Sequence, residues 1–410
     1  MLGGEAVAPS PEVMLDRLLP LLPAIGATRL SVVTGLDVVG IPVAQVCRPL
    51  SRSTSVSQGK GLSLAEAKVS AIGEALESWH AERISRPLRY GGLSEVAAEA
   101  AVVDVARLAR PVHSLFHPDA PLLWIEGRDL VGGDSVLLPI ETVHLDHRLP
   151  RVPGTGCFLN TSTGLAVGAS TLGALQHALA EVVERDALAL WNLRPDDERA
   201  RRRIELASVG DDRCAELLAR FAWAGVAVAA WDLTTDVGVA AVKVTAVDRS
   251  VDADRRLSAA AGYGCHPRRA EALARALLEA AQSRVTLIAG SRDDHPPARD
   301  RAGRDPWSID GQRRRVEHTE PTRPFDALPD AARPLNPTGP VVLLLDRLRA
   351  VGAGHPVMVD LTRPEIGIPV VRVVVPGMEM PSTALAPAVV GERGRAVFAG
   401  RADLEGARGV

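Results

Sequence analysis

Three stretches of the chain combine an apolar helical pattern with carboxylates at matched positions. They cover residues 59–78, 167–185 and 262–284, and each passes from glycine through a polar turn into a run of alanine and leucine. Because alanine and leucine are the strongest helix formers, the pattern predicts three helices that each follow a glycine. In each helix an alanine precedes a glutamate by seven residues, which is two turns. We therefore expect the alanines to allow close packing and the glutamates to point into the space that the three helices surround.

The acidic residues of these helices come in pairs three positions apart. The pairs are Glu74 and Glu77, Glu181 and Glu184, and Glu279 and Gln282. Side chains at this spacing stand next to each other, so two carboxylates repel unless a cation or a donor lies between them. Five carboxylates facing one interior need neutralisation. Oxygen ligands of this kind suit Mg²⁺ together with substrate phosphates, so the five glutamates are candidate metal ligands in a nucleotide site.

Cationic residues beside the acids support a phosphate ligand. Arg185 follows Glu184, Arg284 lies two residues after Gln282, and Lys60 stands in a G-K-G stretch before the first helix. Arginine forks match phosphate oxygens, and glycine lets a backbone N–H approach a phosphate. The chain has no G-x-x-x-x-G-K-[ST] motif, which excludes a P-loop. The alternatives are a surface ion-pair cluster on the helices and a solvated loop charge at Lys60.

Strand patterns alternate with the helices. A glycine-containing turn leads into a β-branched run at 34–46, 232–244 and 360–373, and further strands are predicted at 122–126 and 135–140. The predicted fold is therefore mixed, α/β or α+β, in a single domain over 1–410. Residues 290–340 are rich in Arg, Asp and Pro without periodicity, and we expect a mobile loop there, either a lid over the site or an idle insertion.

Composition narrows the class of protein. The 410 residues are 46% hydrophobic and 24% charged, with a net charge of −3, and no apolar stretch is long enough to span a membrane. We expect a cytoplasmic protein, since no signal peptide is visible. Only 3% of the residues are aromatic and the net charge is near neutral, so the composition does not indicate a nucleic-acid-binding protein. The four cysteines have no C-x-x-C spacing, so reduced structural thiols are favoured over a zinc site.

A different metal site is the weaker alternative. His80 follows Glu77 by three residues, and an E-x-x-H step is half of a di-iron signature. A second such step is missing, so His80 is interpreted as a structural residue at a helix end. A carboxylate-bridged metal oxygenase would in turn require bound iron.

The acidic segments resemble the YcaO superfamily of ATP-dependent enzymes that modify peptide backbones. The matching stretches include S-V-S-Q-G-K-G-L-S-L-A-E-A-K-V-S-A-I-G-E-A-L-E, T-S-T-G-L-A-V-G with E-V-V-E-R-D-A, and A-L-A-R-A-L-L-E-A-A-Q-S-R, in that order over roughly 25–380. The resemblance implies the YcaO fold, with mixed sheets packed with helices, and an ATP pocket with Mg²⁺. It assigns Ser70, Glu74 and Glu77 to the first motif, Glu181, Glu184 and Arg185 to the second, and Glu279, Gln282 and Arg284 to the third.

The same resemblance implies a reaction. ATP would phosphorylate a backbone amide oxygen of a ribosomally made precursor peptide, and the nucleophile would decide between an azoline, a thioamide and an amidine. The stretches T-G-L-D-V-V-G-I-P-V and E-S-W-H-A-E are similar to stand-alone members associated with TfuA-type partners in thioamidation or with bottromycin-like pathways. We expect no fused leader-peptide-binding domain, and a partner protein or a homodimer is a possible assembly.

Two positions depart from the family pattern. Serine follows Glu77 where many members have arginine, and residues 4–7 read Gly-Glu-Ala-Val where similar members carry Gly-Thr-x-Arg. If that arginine holds the nucleotide, its replacement favours a second hypothesis. In that hypothesis the chain is a nucleotide-binding scaffold for a partner enzyme.

Overall fold

The computed structural model describes residues 9–249, 257–290, 309–331, 336–383 and 386–398. The helices in these segments are α1 Pro11–Leu18, α2 Leu64–Ala81, α3 Leu93–Glu99, α4 Thr171–Asn192, α5 Asp196–Ala200, α6 Asp212–Trp223, α7 Arg269–Ala289, α8 Ile309–His318, α9 Gly339–Ala350 and α10 Glu392–Val397. The strands are β1 Arg29–Val32, β2 Val43–Cys47, β3 Val56–Lys60, β4 Leu88–Gly91, β5 Leu122–Asp129, β6 Ser135–Pro139, β7 Leu165–Val167, β8 Ile204–Glu205, β9 Val226–Asp232, β10 Ala240–Asp248, β11 Ala260–His266, β12 Arg323–Pro324, β13 Val357–Asp360 and β14 Val370–Val374.

The strands form several sheets, each covered by helices. One antiparallel sheet has the order β1-β2-β3, a second has β11-β10-β9, and a larger sheet has β4-β5-β13-β14-β7 with β6 paired to β5. Strands β8 and β12 form a short parallel pair. Helix α2 packs on β2 and β3, α7 packs on β10 and β11, and α4 contacts both β14 and β11. The mixed fold predicted from the sequence is confirmed.

The three long acidic helices begin and pack as the sequence predicts. Ser63 caps α2 by accepting a hydrogen bond from the Glu66 N–H, and Ser170 caps α4 by accepting one from Gly173. Helix α7 begins after Arg268 without a side-chain cap. Each helix follows a strand after a short turn; the turn contains glycine before α2 and α4, whereas Pro267 and Arg268 form it before α7.

Glycine allows each of these helices to lie against a strand. A Cβ atom at Gly59 of β3 would lie 2.0 Å from the backbone nitrogen of Ala71, and one at Gly262 of β11 would lie 2.2 Å from that of Ala280. Gly168, just before α4, would place a Cβ 2.4 Å from the nitrogen of Ala174. A side chain at Gly59 or Gly262 would separate helix from strand, and one at Gly168 would collide with the first turn of α4. The origin of the three helices as repeats of one unit stays a prediction.

The strands predicted from the sequence are present, but two of them begin later than expected. The strands predicted at 122–126 and 135–140 are β5 and β6. The strands predicted at 34–46 and 232–244 begin later, at β2 and β10, because residues 34–36 form a 3₁₀ turn and 233–239 are a connection. None of the helices in the described segments is long and apolar enough to cross a membrane.

The expected loop at 290–340 is wrong for residues 309–318. That part is helix α8, in which Val316 is buried in a core cluster and Arg313 pairs with Glu317 at 3.0 Å. One buried apolar side chain and an i,i+4 ion pair stabilise a helix whose sequence is otherwise strongly polar. Residues 291–308 and 332–335, and the 4–7 segment, lie outside the described residues.

Candidate nucleotide and metal site

Helices α2, α4 and α7 line one cavity of about 1240 Å³. Among the lining residues, each helix contributes polar side chains at positions i, i+4 and i+7, a spacing that keeps them on one face. These residues are Ser70, Glu74 and Glu77 on α2, His177, Glu181 and Glu184 on α4, and Arg275, Glu279 and Gln282 on α7. Lys60 and Arg185 also line the cavity. The structure thus brings together nine of the ten residues that the sequence nominated.

Backbone hydrogen bonds and burial determine the pKa values of the carboxylates in the cavity. Glu77 accepts a hydrogen bond from the Val167 N–H at 2.8 Å, and Glu181 accepts one from Gly164 at 3.1 Å. Burial raises the pKa of Glu77 well above its ordinary value, and burial also raises the pKa of Glu181. The pKa of Glu184 is raised to about 7, first by burial, while Arg185 opposes the shift.

Two cations lie among these acids. The Arg185 guanidinium lies 3.6 Å from Glu181 and 3.7 Å from Glu184. The Lys60 ammonium lies 3.4 Å from Glu279. Although burial opposes it, the surrounding carboxylates raise the pKa of Arg185. Arg185 therefore stays charged and offers its N–H groups to the cavity.

The site fits a Mg²⁺ ion held jointly by protein and phosphate. Within the described residues, no three His, Cys, Asp or Glu side chains stand close enough together to hold an ion by themselves. Mg²⁺ keeps waters and substrate phosphates in its coordination sphere and takes only one or two carboxylates. The buried Gln282 Oε1 has no hydrogen-bond partner, which leaves an oxygen acceptor for a ligand in the cavity.

Arg284 is a correction to the expected site. It does not line the cavity but is buried on the other side of α7, with Asp37 at 3.0 Å and Asp248 at 3.0 Å. The reason is helical geometry, because Arg284 is two residues, or about 200°, around the helix from Gln282. Its guanidinium joins α7 to the residues before β2 and at the end of β10. It is a structural ion pair in this fold.

His177 and Arg275 are lining residues that the sequence reasoning missed. They lie four residues before Glu181 and Glu279, at the position that Ser70 has relative to Glu74 on α2, so helical spacing was the available signal. His177 is exposed in the cavity, and its pKa is lowered by desolvation within the surrounding protein and by the neighbouring Arg275 and Lys60. His177 is therefore a neutral imidazole in the cavity.

His80 occupies the structural position expected for it. Its ring nitrogen Nδ1 lies 2.7 Å from the carbonyl oxygen of Leu76, one turn earlier on α2. The residue is buried, and it is not among the cavity-lining side chains. All four cysteines, each in a described segment, are unpaired thiols.

A family and several known proteins are similar to this chain. The YcaO family, described as an ATP- and Mg²⁺-binding cyclodehydratase, matches residues 58–379. An uncharacterized protein from the tfuA 3′ region of Rhizobium leguminosarum bv. trifolii is 36% identical over 385 residues, which cover 91% of this chain and 88% of that protein.

Solved structures share the fold. The YcaO protein of Methanopyrus kandleri, solved with AMPPCP and Mg²⁺, matches with a TM-score of 0.68 at 25% identity and covers 90% of this chain and 91% of that one. A heterocyclase solved in complex with substrate and cofactor matches with a TM-score of 0.71 at 20% identity, over 91% of this chain. This chain spans about half the length of the heterocyclase, 52%, and that likeness shows the fold alone.

Proposed function

The chain belongs to the YcaO family, and from that premise we propose that it is an ATP- and Mg²⁺-dependent enzyme that activates a backbone amide of a peptide. The observation that carries the proposal is the cavity between α2, α4 and α7, into which three helices present the same i, i+4, i+7 stripe of polar side chains. Buried carboxylates at this density require cations. A nucleotide with Mg²⁺ supplies both the cation and the phosphates that the arginines and Lys60 match.

The cavity residues divide into two sets by charge. Glu74, Glu77, Glu181, Glu184 and Glu279 would hold Mg²⁺, directly or through its waters. Lys60, Arg185 and Arg275 would bind phosphate oxygens, and Ser70 and Gln282 would donate and accept hydrogen bonds. The metal, when bound, would neutralise the charge of the phosphates during transfer.

In catalysis this chain would position the reacting groups and stabilise the charge of the transferred phosphoryl group. In phosphoryl transfer the protein does little covalent chemistry and acts mainly by positioning and electrostatic stabilisation. Arg185 lies between two glutamates and cannot lose its proton, so it keeps a positive charge beside the transferred group. The neutral His177 can donate one hydrogen bond without adding charge.

We propose a thioamide as the first product to test, with an azoline or an amidine as the other outcomes. The relative from the tfuA 3′ region supports this order, because the resemblance of the sequence to stand-alone YcaO proteins implies TfuA-type partners and thioamidation. The substrate class would be a ribosomally made precursor peptide. A TfuA-like protein is the proposed partner.

The test is mass spectrometry of candidate precursor peptides after incubation with the protein, ATP, Mg²⁺ and sulfide, with phosphate release followed in parallel. Exchange of one oxygen for sulfur identifies a thioamide, and loss of one water identifies a ring or an amidine. Nucleotide binding without peptide change, with and without a TfuA-like protein, supports instead the scaffold hypothesis.

Variants connect the reaction to the cavity. Glu181→Ala is expected to abolish ATP turnover while the protein stays folded, because it removes a carboxylate from the proposed metal site. Glu216→Ala, on the exposed side of α6, is the matched control. A folded Glu181→Ala protein with normal turnover would contradict the proposal.

A further inference from the structure

A second group of cavity-lining residues is uncharged and comes from loops. Its members are Ser53, Thr54, His147, Asn160, Thr161 and Ser162. The backbone N–H of His147 donates to the carbonyl oxygen of Arg52 at 2.9 Å, which joins the loop before β3 to the loop after β6. We call this group the polar wall of the cavity. Its hydroxyls, amide and imidazole suit a peptide better than a phosphate.

Asn160 fixes the protonation of His147. The amide nitrogen of Asn160 donates to two carbonyl oxygens, those of Glu141 and His144, each at 2.8 Å. Because only the nitrogen of a carboxamide can donate, its oxygen must be the atom that lies 2.9 Å from Nε2 of His147. A carboxamide oxygen accepts hydrogen bonds and donates none. In the neutral imidazole Nε2 therefore carries the hydrogen, and Nδ1 carries the lone pair.

The polar wall and the acidic stripe share one loop. Residues 160–164 begin at Asn160 and end at Gly164, whose N–H donates to Glu181 at 3.1 Å. The buried Arg372 holds the middle of this loop by donating to the carbonyl oxygen of Thr161 at 2.7 Å. The histidine partner and a carboxylate of the proposed metal site are thus fixed to the same short segment.

The charges near His147 are already paired. Asp146 binds Arg52 at 3.0 Å and Arg148 at 2.7 Å, so these three groups neutralise much of one another. His144 is buried, which lowers its pKa to about 4 and leaves it neutral. The imidazole of His147 is exposed to the cavity side and has Asn160 as its side-chain partner.

We propose that Nδ1 of His147 accepts the proton of the nucleophile that adds to the peptide amide, and that Asn160 is the positioning residue that sets the tautomer. This inference rests on the proposed function. In the addition step the nucleophile's X–H bond breaks and its proton passes to Nδ1, while the new X–C bond forms at the amide carbon. The carbonyl π pair moves to the oxygen, which takes the γ-phosphoryl group of ATP as ADP leaves.

The first arm of the test observes the tautomer directly. The protein is labelled with ¹⁵N in histidine, and the resonance that disappears in His147→Gln is assigned to His147. We expect the coupling pattern of the Nε2–H tautomer in the wild-type protein. A Nδ1–H pattern would overturn the inference, whatever the enzyme's substrate.

The second arm uses activity. His147→Ala and the control His117→Ala, which changes an exposed histidine away from the cavity, are compared with wild type on a pool of synthetic peptides with internal Cys, Ser and Thr, with ATP, Mg²⁺ and sulfide. We expect His147→Ala to bind Mg²⁺–AMPPCP within about twofold of wild type and to modify peptide about 100-fold more slowly, the usual effect of losing a general base. Added imidazole should restore part of the rate, because a purely structural role would not be rescued.

The outcomes separate the two proposals. An unchanged peptide-modification rate in His147→Ala, or an equal loss of nucleotide affinity, overturns the role of His147 and leaves the proposed function standing. A wild-type protein that modifies no peptide, with and without a TfuA-like protein, while the Nε2–H tautomer is seen overturns the proposed function, and the catalytic role of His147 with it.

Discussion

Lys60 and Glu279 are paired at 3.4 Å although they lie 219 residues apart in the chain. Lys60 ends β3, directly before the turn into α2, and Glu279 lies in the stripe of α7, so the pair joins the strand that precedes the first acidic helix to the third acidic helix. Both side chains are 26% exposed. A phosphate would compete with Glu279 for the ammonium group, and a metal ion would compete with Lys60 for the carboxylate. The two side chains therefore neutralise each other in the absence of phosphate and metal.

Lys60→Met is expected to weaken Mg²⁺–AMPPCP binding by roughly 10- to 100-fold, the effect of losing a charge-assisted hydrogen bond to phosphate. The free energy of unfolding should change by less than about 1 kcal/mol, because the ion pair with Glu279 is partly exposed. Calorimetric titration and urea unfolding measure the two quantities. Lys68→Met, on α2 outside the cavity lining, is the control. Equal affinities of the two variants would exclude a role for Lys60 in phosphate binding.

Neighbouring positions on α7 should separate stability from binding. Arg284→Met leaves Asp37 and Asp248 without their buried partner, so we expect the free energy of unfolding to fall by about 3–5 kcal/mol. Its nucleotide affinity should stay within about twofold of wild type, measured under conditions where the variant is folded. Gln282→Met should weaken nucleotide binding and leave the free energy of unfolding nearly unchanged, since Gln282 lines the cavity. A stable Arg284→Met protein with weakened nucleotide binding would support the predicted role of Arg284 in the nucleotide site.

The sequence predicted the acidic stripes because their chemistry repeats at a helical period. Glu74, Glu181 and Glu279 all lie two turns after an alanine, and such spacing is local information. Arg284 is close to Gln282 in the sequence but lies about 200° away around the helix, so proximity in sequence predicts its position wrongly. His147 and Asn160 lie in loops without period. They are 13 residues apart, and their meeting depends on the hydrogen bonds from Asn160 to the carbonyl oxygens of Glu141 and His144, which no periodic pattern encodes.

The pairing of distant strands also could not be predicted from local sequence patterns. Strands β5 and β6 were predictable from alternation and from the turn that joins them. The pairing of β13 with β5, and of β14 with β7, joins segments far apart in the chain. These pairings bring α4 under the large sheet and thereby set the cavity, so the location of the site required the structure.

Gly59→Ala tests the close packing of α2. The added methyl would lie 2.0 Å from the backbone nitrogen of Ala71, a contact that backbone movement alone can relieve. We expect the free energy of unfolding to fall by at least about 1–3 kcal/mol, the usual cost of overpacking. Gly210→Ala, with no atom within 4 Å of the new Cβ, is the control for the intrinsic difference between the residues. Similar unfolding midpoints for the two variants would show that β3 and α2 are not held this tightly.

The raised pKa of Glu184 predicts how stability depends on pH without ligands. Because burial raises this pKa from 4.5 to about 7, the folded state binds the proton more tightly than the unfolded state between these values. The stabilisation is therefore present below about pH 4.5 and is lost as the pH rises through about 7, with a slope of at most about 1.4 kcal/mol per pH unit from this group. Urea unfolding between pH 5 and 8 measures it.

Glu184→Gln should remove this part of the slope and leave the parts due to Glu77 and Glu181, which have the same sign because burial raises both of their pKa values. Mg²⁺ with AMPPCP should act in the opposite direction in the wild-type protein, because a metal ion binds the ionised carboxylate and releases its proton. Ligand-induced stabilisation is thus expected to grow from pH 5.5 to 8. A slope unchanged in Glu184→Gln would place the titrating group elsewhere. Stabilisation by the nucleotide that is independent of pH would mean that Glu184 is already ionised before the ligand binds.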